Sequence, residues 1–270
     1  ITRKWTLFAW LFLSLGLVLG MRWAYDVLGW GGYWGWDPVE IAALMPWLTG
    51  TAFLHSIMIE EKRGLLKTWN VFLIILTYSL VIFGTFLTRS GILSSVHAFA
   101  QSAIGPIFFG YIIITFLVST ALLMNRWKDL HAVLPMNSVL SREALFLVNN
   151  LLFLGVLVIC LWGVLFPLIS ELVTGTKVTV GPPFYERAIT PLLGVLIILM
   201  AVTPQSAWGR STAKTLSKGL WLPASFSIVT LIILMISGLR NWISLVGFTL
   251  ISLVIFVTLY EFIRGVRARV

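Results

Sequence analysis

The sequence predicts an all-α, polytopic integral membrane protein with about eight transmembrane helices and a tryptophan-rich loop that faces outward. Three observations carry that expectation. Hydrophobic residues make up 59% of the 270-residue chain and charged ones only 11%, against roughly 25% charged in soluble domains. Apolar runs recur at the length a bilayer demands, about 20 residues. Lysine and arginine are divided unequally between alternate loops, the mark of membrane topology.

The runs fall at about 5–23, 39–59, 69–88, 106–125, 144–169, 188–206, 220–238 and 243–263. Only a few residues around Arg240 and Asn241 separate the last two, which predicts a tight hairpin. With the N-terminus inside, the outer side holds only Arg22, Arg89, Lys177, Arg187 and Arg240 of the nineteen basic residues, leaving fourteen inside. Both ends of the segment then lie in the cytoplasm. Topology and anionic lipid account for the net charge of +9, so no nucleic-acid partner is needed. The one cysteine, Cys160, sits in an apolar run, which leaves no disulfide, Cys-x-x-Cys redox pair or haem-attachment motif. Residues 1–270 read as a single transmembrane helical domain. The chain starts at Ile1 with no short signal peptide before the first run, as a piece of a longer protein would.

Between the first two runs, Trp30 to Asp37 reads Trp-Gly-Gly-Tyr-Trp-Gly-Trp-Asp, and five of the thirteen tryptophans lie between Trp23 and Trp47. The glycines let the backbone turn while the rings present broad faces. Beside the Pro-Val-Glu helix start, such platforms suit a large planar ligand. An interfacial aromatic belt is the plainer reading, but it explains neither the Gly-Gly spacing nor the Trp-Asp-Pro ending. The topology sets this segment, 23–48, on the same outer side as the loop 89–105, which holds His97. Arg22 and Arg89 are close by in sequence. The other long outer segment, 170–187, contains Lys-Val-Thr-Val-Gly-Pro-Pro-Phe, read as a short strand-like piece and a rigid turn.

His55 lies inside the second run, fifteen residues after Glu40. It is about 24 Å below the tryptophan platform if that helix runs unbroken from Val39, or about 14 Å if the span begins at Pro46. Either depth is too great for a ligand lying on the tryptophan face. An ionisable residue within the membrane is a functional candidate by default; the alternative is a neutral histidine bonded to a neighbouring helix. His97 is a ligand candidate or a solvated loop residue, and His131, on an inner loop, reads as solvated. Imidazole suits iron, zinc and copper alike. No cluster completes a zinc site, so axial ligation of haem iron fits better. Only Glu261 places a carboxylate near a span, which counts against a proton-coupled permease.

Trp-Gly-Gly-Tyr-Trp-Gly-Trp-Asp-Pro-Val-Glu at 30–40 and Ala-Leu-Met-Pro-Trp-Leu at 43–48 resemble the WWD signature of haem-handling cytochrome c biogenesis proteins, in the CcmF and NrfE branch rather than CcmC or CcsA. Leu-Thr-Arg-Ser-Gly-Ile-Leu-Ser-Ser-Val-His-Ala-Phe at 87–99 and Val-Gly-Pro-Pro-Phe at 180–184 are similar to further segments of that branch. The resemblance runs from about residue 5 to the end. It implies a cytochrome c haem lyase subunit of the bacterial inner membrane, acting within a multi-subunit complex. The WWD segment would hold the transferred haem on the outer face through Trp30, Gly31, Gly32, Trp34, Trp36, Asp37, Pro38 and Glu40, with Arg22 and Arg89 as partners for the propionates. His97 matches the family's outer axial ligand downstream of that segment. His55 matches a transmembrane ligand of a resident haem b that takes electrons from quinol. The implied partners are the haem chaperone CcmE, CcmH/CcmI-type subunits that handle apocytochrome, apocytochrome c itself and membrane lipid. The family's upstream outer histidine would precede residue 1, and its second transmembrane histidine and a further outer domain would follow residue 270. This chain is therefore expected to be either the central part of a longer protein or one product of a split gene, carrying half of each ligand pair.

Two rival readings belong to other classes. A transporter exporting haem or a small molecule would need a polar pathway through the helices, which the sequence does not display. A quinol-oxidising subunit using only a haem at His55 would leave the tryptophan segment without a purpose.

Overall fold

The computed structural model describes residues 2–29, 32–91, 104–130 and 138–268. Its helices are α1 (Thr2–Val27), α2 (Pro38–Arg63), α3 (Lys67–Arg89), α4 (Ile104–Asn125), α5 (Arg142–Thr174), α6 (Pro182–Val202), α7 (Ala213–Ile236) and α8 (Trp242–Arg267). All eight are long and apolar enough to cross a bilayer, and no strand occurs among the described residues.

Two boundaries differ from the sequence expectation, and a third decides between the two alternatives it left open. α2 continues through Pro46 to Arg63, so the proline does not start a new span. α6 begins at Pro182, because paired prolines at a helix start are pre-set to helical φ and need no N–H partner. The strand-like stretch before it, Lys177 to Val180, takes no regular structure; an isolated strand has no ladder to stabilise it. α7 begins at Ala213, earlier than the hydropathy indicates, with the Thr212 side chain accepting from the Thr215 amide as its cap.

The chain forms two compact units, one of residues 1–134 and 153–189, the other of residues 135–152 and 190–270. In the first, α2 is the central element: 67% of its most apolar window is buried, against 6% for α1 and for α4. Small residues on α2 (Ala42, Thr49, Gly50, Ala52) are buried, and such residues let helix backbones approach closely where lipid supplies no hydrophobic drive. Gly84 of α3 lies against Ala42, where an added Cβ would sit 3.5 Å from its carbonyl oxygen. Thr77 donates to Thr49 at 2.8 Å across the same pair of helices.

α1 and α2 interlock through reciprocal indoles. Trp10 Nε1 donates to Thr51 Oγ1 at 2.9 Å, and Trp47 Nε1 donates to Ser14 Oγ at 2.8 Å. Each hydroxyl lies one turn beyond the other tryptophan and passes its own proton to that tryptophan's carbonyl. The two indoles also stack, with centroids 6.0 Å apart. The opposite face of α1 exposes Trp5, Phe8 and Leu19, as a helix side turned to lipid does.

In the second unit, α7 and α8 form the hairpin that the sequence predicts. Asn241 caps α8 by accepting from the Ser244 amide at 3.0 Å, and Ser227 meets Ser252 across the pair.

Candidate functional site

The turn before α2 is built by its own sequence. Asp37 is the N-cap, Pro38 the first helical residue and Glu40 the third, forming a capping box. The Asp37 carboxylate accepts from the Val39 amide at 3.0 Å. Glu40 reaches back to accept from two amides, Gly35 at 3.0 Å and Asp37 at 3.1 Å. Two amides that a helix start leaves unpaired, together with one in the turn before it, are thus satisfied. Between those anchors Trp36 adopts φ 55, a left-handed conformation that bulky residues rarely take and that concentrates at functional sites.

The tryptophan rings do not lie flat on one another. Trp34 and Trp36 are perpendicular, 89° apart, with centroids at 5.8 Å. Trp36 instead stacks on Tyr185 of α6, at 5.0 Å and 7°. Tyr185 is buried, and it occupies space left open on α5, where a Cβ on Gly163 would fall 2.1 Å from its hydroxyl. Sequence reasoning missed this tyrosine. Gly-Pro-Pro places Tyr185 in the first turn of a helix, but nothing local ties its ring to Trp36.

Trp34 lines a groove between α1 and α2 of about 360 Å³, together with Phe12, Leu17, Met21 and the glycines Gly16 and Gly20. Its indole N–H is buried and has no hydrogen-bond partner. A buried donor without an acceptor costs about 1–3 kcal/mol, so the position favours a ligand bearing an acceptor. The walls are largely apolar and opened by the two glycines, with the Glu40 carboxylate at the end nearest the turn.

The other sequence-predicted residues are placed as follows. Gly32 and Pro38 lie in the turn and at the helix start. Arg22 is exposed and pairs with Asp26 one turn on, at 2.7 Å. Arg89 is the exposed last residue of α3. Trp30, Gly31, His97 and His131 lie outside the described residues. His55 is on unbroken α2, about 24 Å along the axis from Val39 at about 1.5 Å per residue. Its ring lies 5.9 Å from that of Phe153, which also meets Trp47 edge-on.

Eight membrane-length helices, with a capped tryptophan turn before the most buried of them, define a polytopic helical membrane protein. The Cytochrome C assembly protein family model matches residues 1–93. The chain is 46% identical to cytochrome c-type biogenesis protein CycK of Bradyrhizobium diazoefficiens, over 77% of this chain and 32% of that protein. It is 41% identical to CcmF of Pseudomonas fluorescens, over 94% and 38%, and 44% identical to the probable NrfE of Escherichia coli, over 73% and 36%. A solved structure titled cytochrome c heme lyase CcmF aligns with a TM-score of 0.73 and 31% identity, covering 99% of this chain and 39% of that one. The chain belongs to the CcmF/NrfE/CycK family of cytochrome c-type biogenesis proteins, and it spans 32–38% of the length of these relatives.

Proposed function

We propose that this chain is the part of a cytochrome c haem lyase that holds haem for attachment to the Cys-x-x-Cys-His motif of apocytochrome c, at the outer face of a bacterial inner membrane. The observation that carries the reading is the braced turn: Glu40 holds its backbone, Tyr185 supports Trp36, and Trp34, whose buried indole N–H has no partner, lines a largely apolar groove. Haem is the substrate here. Trp34 and Trp36 bound it with apolar faces, the Trp34 N–H offers a donor to its edge, and His97 supplies an axial nitrogen. Arg22 and Arg89 neutralise its propionates, which requires Arg22 to exchange its partner Asp26. Among the described residues of the turn, the Asp37 and Glu40 carboxylates are engaged by backbone amides, and no general acid or base is assigned. Catalysis is then positioning of the vinyl groups toward the cysteine thiols.

His55, against Phe153, is the residue that would hold a resident haem b, which when bound supplies an electron relay from quinol. The separation along α2 keeps that site apart from the tryptophan turn. CcmE as haem donor, CcmH/CcmI-type subunits and apocytochrome complete the complex.

Replacing Trp34 and Trp36 together by leucine in the full-length protein tests the proposal. Cytochrome c maturation should fall at least tenfold while the b-type spectrum persists. Maturation at the wild-type level would sink it.

A further inference from the structure

The second unit contains a cavity that the haem-handling reading leaves unused. It measures about 600 Å³ and is lined by Arg142, Gln205, Lys214, Lys218, Tyr260 and Arg264, among others. Four cationic side chains from α5, α7 and α8 meet in it. Two carboxylates lie near them. Glu143 is buried and occupied by the Gly209 amide, at 3.0 Å to each oxygen, and Glu261 pairs with Arg264 at 3.0 Å. Positive charge remains in excess.

The cavity is built, not left over. Arg142 is held by donating to the carbonyls of Ser206 at 2.9 Å and Pro204 at 2.8 Å. Its guanidinium lies over Trp208, 5.5 Å from the ring centroid. Those bonds use two of its five donors. Gln205 is 93% buried (7% exposed) and rests on Gly219, where a Cβ would come within 2.1 Å of Oε1. Its amide nitrogen has no hydrogen-bond partner. The walls therefore carry fixed and mobile cations with a further unsatisfied donor, which together call for an anion with several acceptor oxygens. The cavity sits where α5 and α7 begin and α8 ends, the side that the lysine–arginine bias assigns to the cytoplasm. Basic pockets between helices on that side suit phosphate headgroups.

We propose that this cavity binds a phosphate-bearing anion, supplied either as an anionic phospholipid headgroup or as a soluble phosphate compound. Lys214 and Lys218 are exposed and can close over the phosphate, while Arg142 forms the fixed floor.

The test is native mass spectrometry of the full-length protein, released from detergent carrying phosphatidylglycerol or phosphatidylcholine, with and without inorganic phosphate. Wild type should retain one phosphatidylglycerol in preference to phosphatidylcholine. Lys214→Gln with Lys218→Gln should cut that retention about tenfold or more, at roughly 1 kcal/mol per basic residue. Lys214→Arg with Lys218→Arg should preserve it and thereby control for folding. If lipid is not retained but inorganic phosphate binds with the same dependence on these lysines, the source is a soluble phosphate. Equal retention of the two lipids, or lipid and phosphate binding unchanged in the glutamine variant, would overturn the proposal, as would wild type binding neither probe.

Discussion

Trp36 lies parallel to Tyr185, 5.0 Å away and 7° from coplanar, so the turn before α2 is braced by the start of α6. The left-handed backbone of Trp36 costs about 1–2 kcal/mol. An aromatic pair returns about 0.5–1.5 kcal/mol beyond its buried area, and Glu40 adds two hydrogen bonds to the same turn. Neither restraint alone comfortably exceeds the strain; acting together they do. The conformation therefore persists because the ring and the backbone are held independently.

Tyr185→Ala should release Trp36 and lower cytochrome c maturation about three- to tenfold, the range that aromatic pairing energies imply. Tyr185→Phe keeps the ring and should stay near wild type. Gly163→Ala should reproduce the alanine phenotype from the other side, since its methyl would collide with the tyrosine hydroxyl. Haem-stained cytochrome c in cells is the readout, and an unaffected Tyr185→Ala strain would remove the brace from the account.

Glu40→Ala leaves the amides of Gly35 and Asp37 without their acceptor, at about 1–2 kcal/mol for the lost cap. Amide hydrogen exchange across 35–39 should accelerate about five- to thirtyfold, while exchange in the middle of α2 stays slow. Glu40→Gln keeps one side-chain oxygen and should show a smaller change. Uniform acceleration along the whole helix would mean that the carboxylate supports global packing rather than the turn.

The Trp10 and Trp47 indoles each donate to a hydroxyl that remains bonded to a backbone carbonyl. Removing one donor therefore leaves no orphan. Trp10→Phe or Trp47→Phe should each cost only about 0.5–1 kcal/mol, in line with interhelical hydrogen bonds in membranes. The double variant should cost less than their sum, because the first change already weakens the stacked pair. Thermal unfolding in detergent measures this, and strict additivity would show that the two bonds do not form one lock.

Much of this architecture was legible in the sequence because hydropathy and charge act over whole segments. The eight spans, the α7–α8 hairpin and the Asp37–Glu40 helix start all follow from local rules. What escaped was set by partners distant in the chain. Nothing near Trp36 announces that its ring turns away from Trp34, since Tyr185 and Gly163 decide it. Pro46 offered two readings because local rules penalise an internal proline, whereas α2 accommodates it within a packed helix. The basic cavity was invisible for the same reason: Arg142, Lys214 and Arg264 look like ordinary topology signals until α5, α7 and α8 bring them together.

The depth of His55 yields the sharpest separation between the two proposed haem roles. Because α2 is unbroken through Pro46, His55 stands about 24 Å from Val39 along the axis at about 1.5 Å per residue. No single planar ligand held at the tryptophan turn reaches it. A reduced-minus-oxidised and pyridine haemochrome spectrum of the full-length protein should therefore lose its b-type signal in His55→Ala and keep it when Trp34 and Trp36 are replaced. Phe153 touches both His55 and Trp47, so Phe153→Leu should shift the b-type absorption or potential without abolishing binding. If His55→Ala leaves the spectrum intact, His55 is a packed helix histidine and the electron-relay part of the function falls. The tryptophan turn, tested by its own variants, would stand or fall separately.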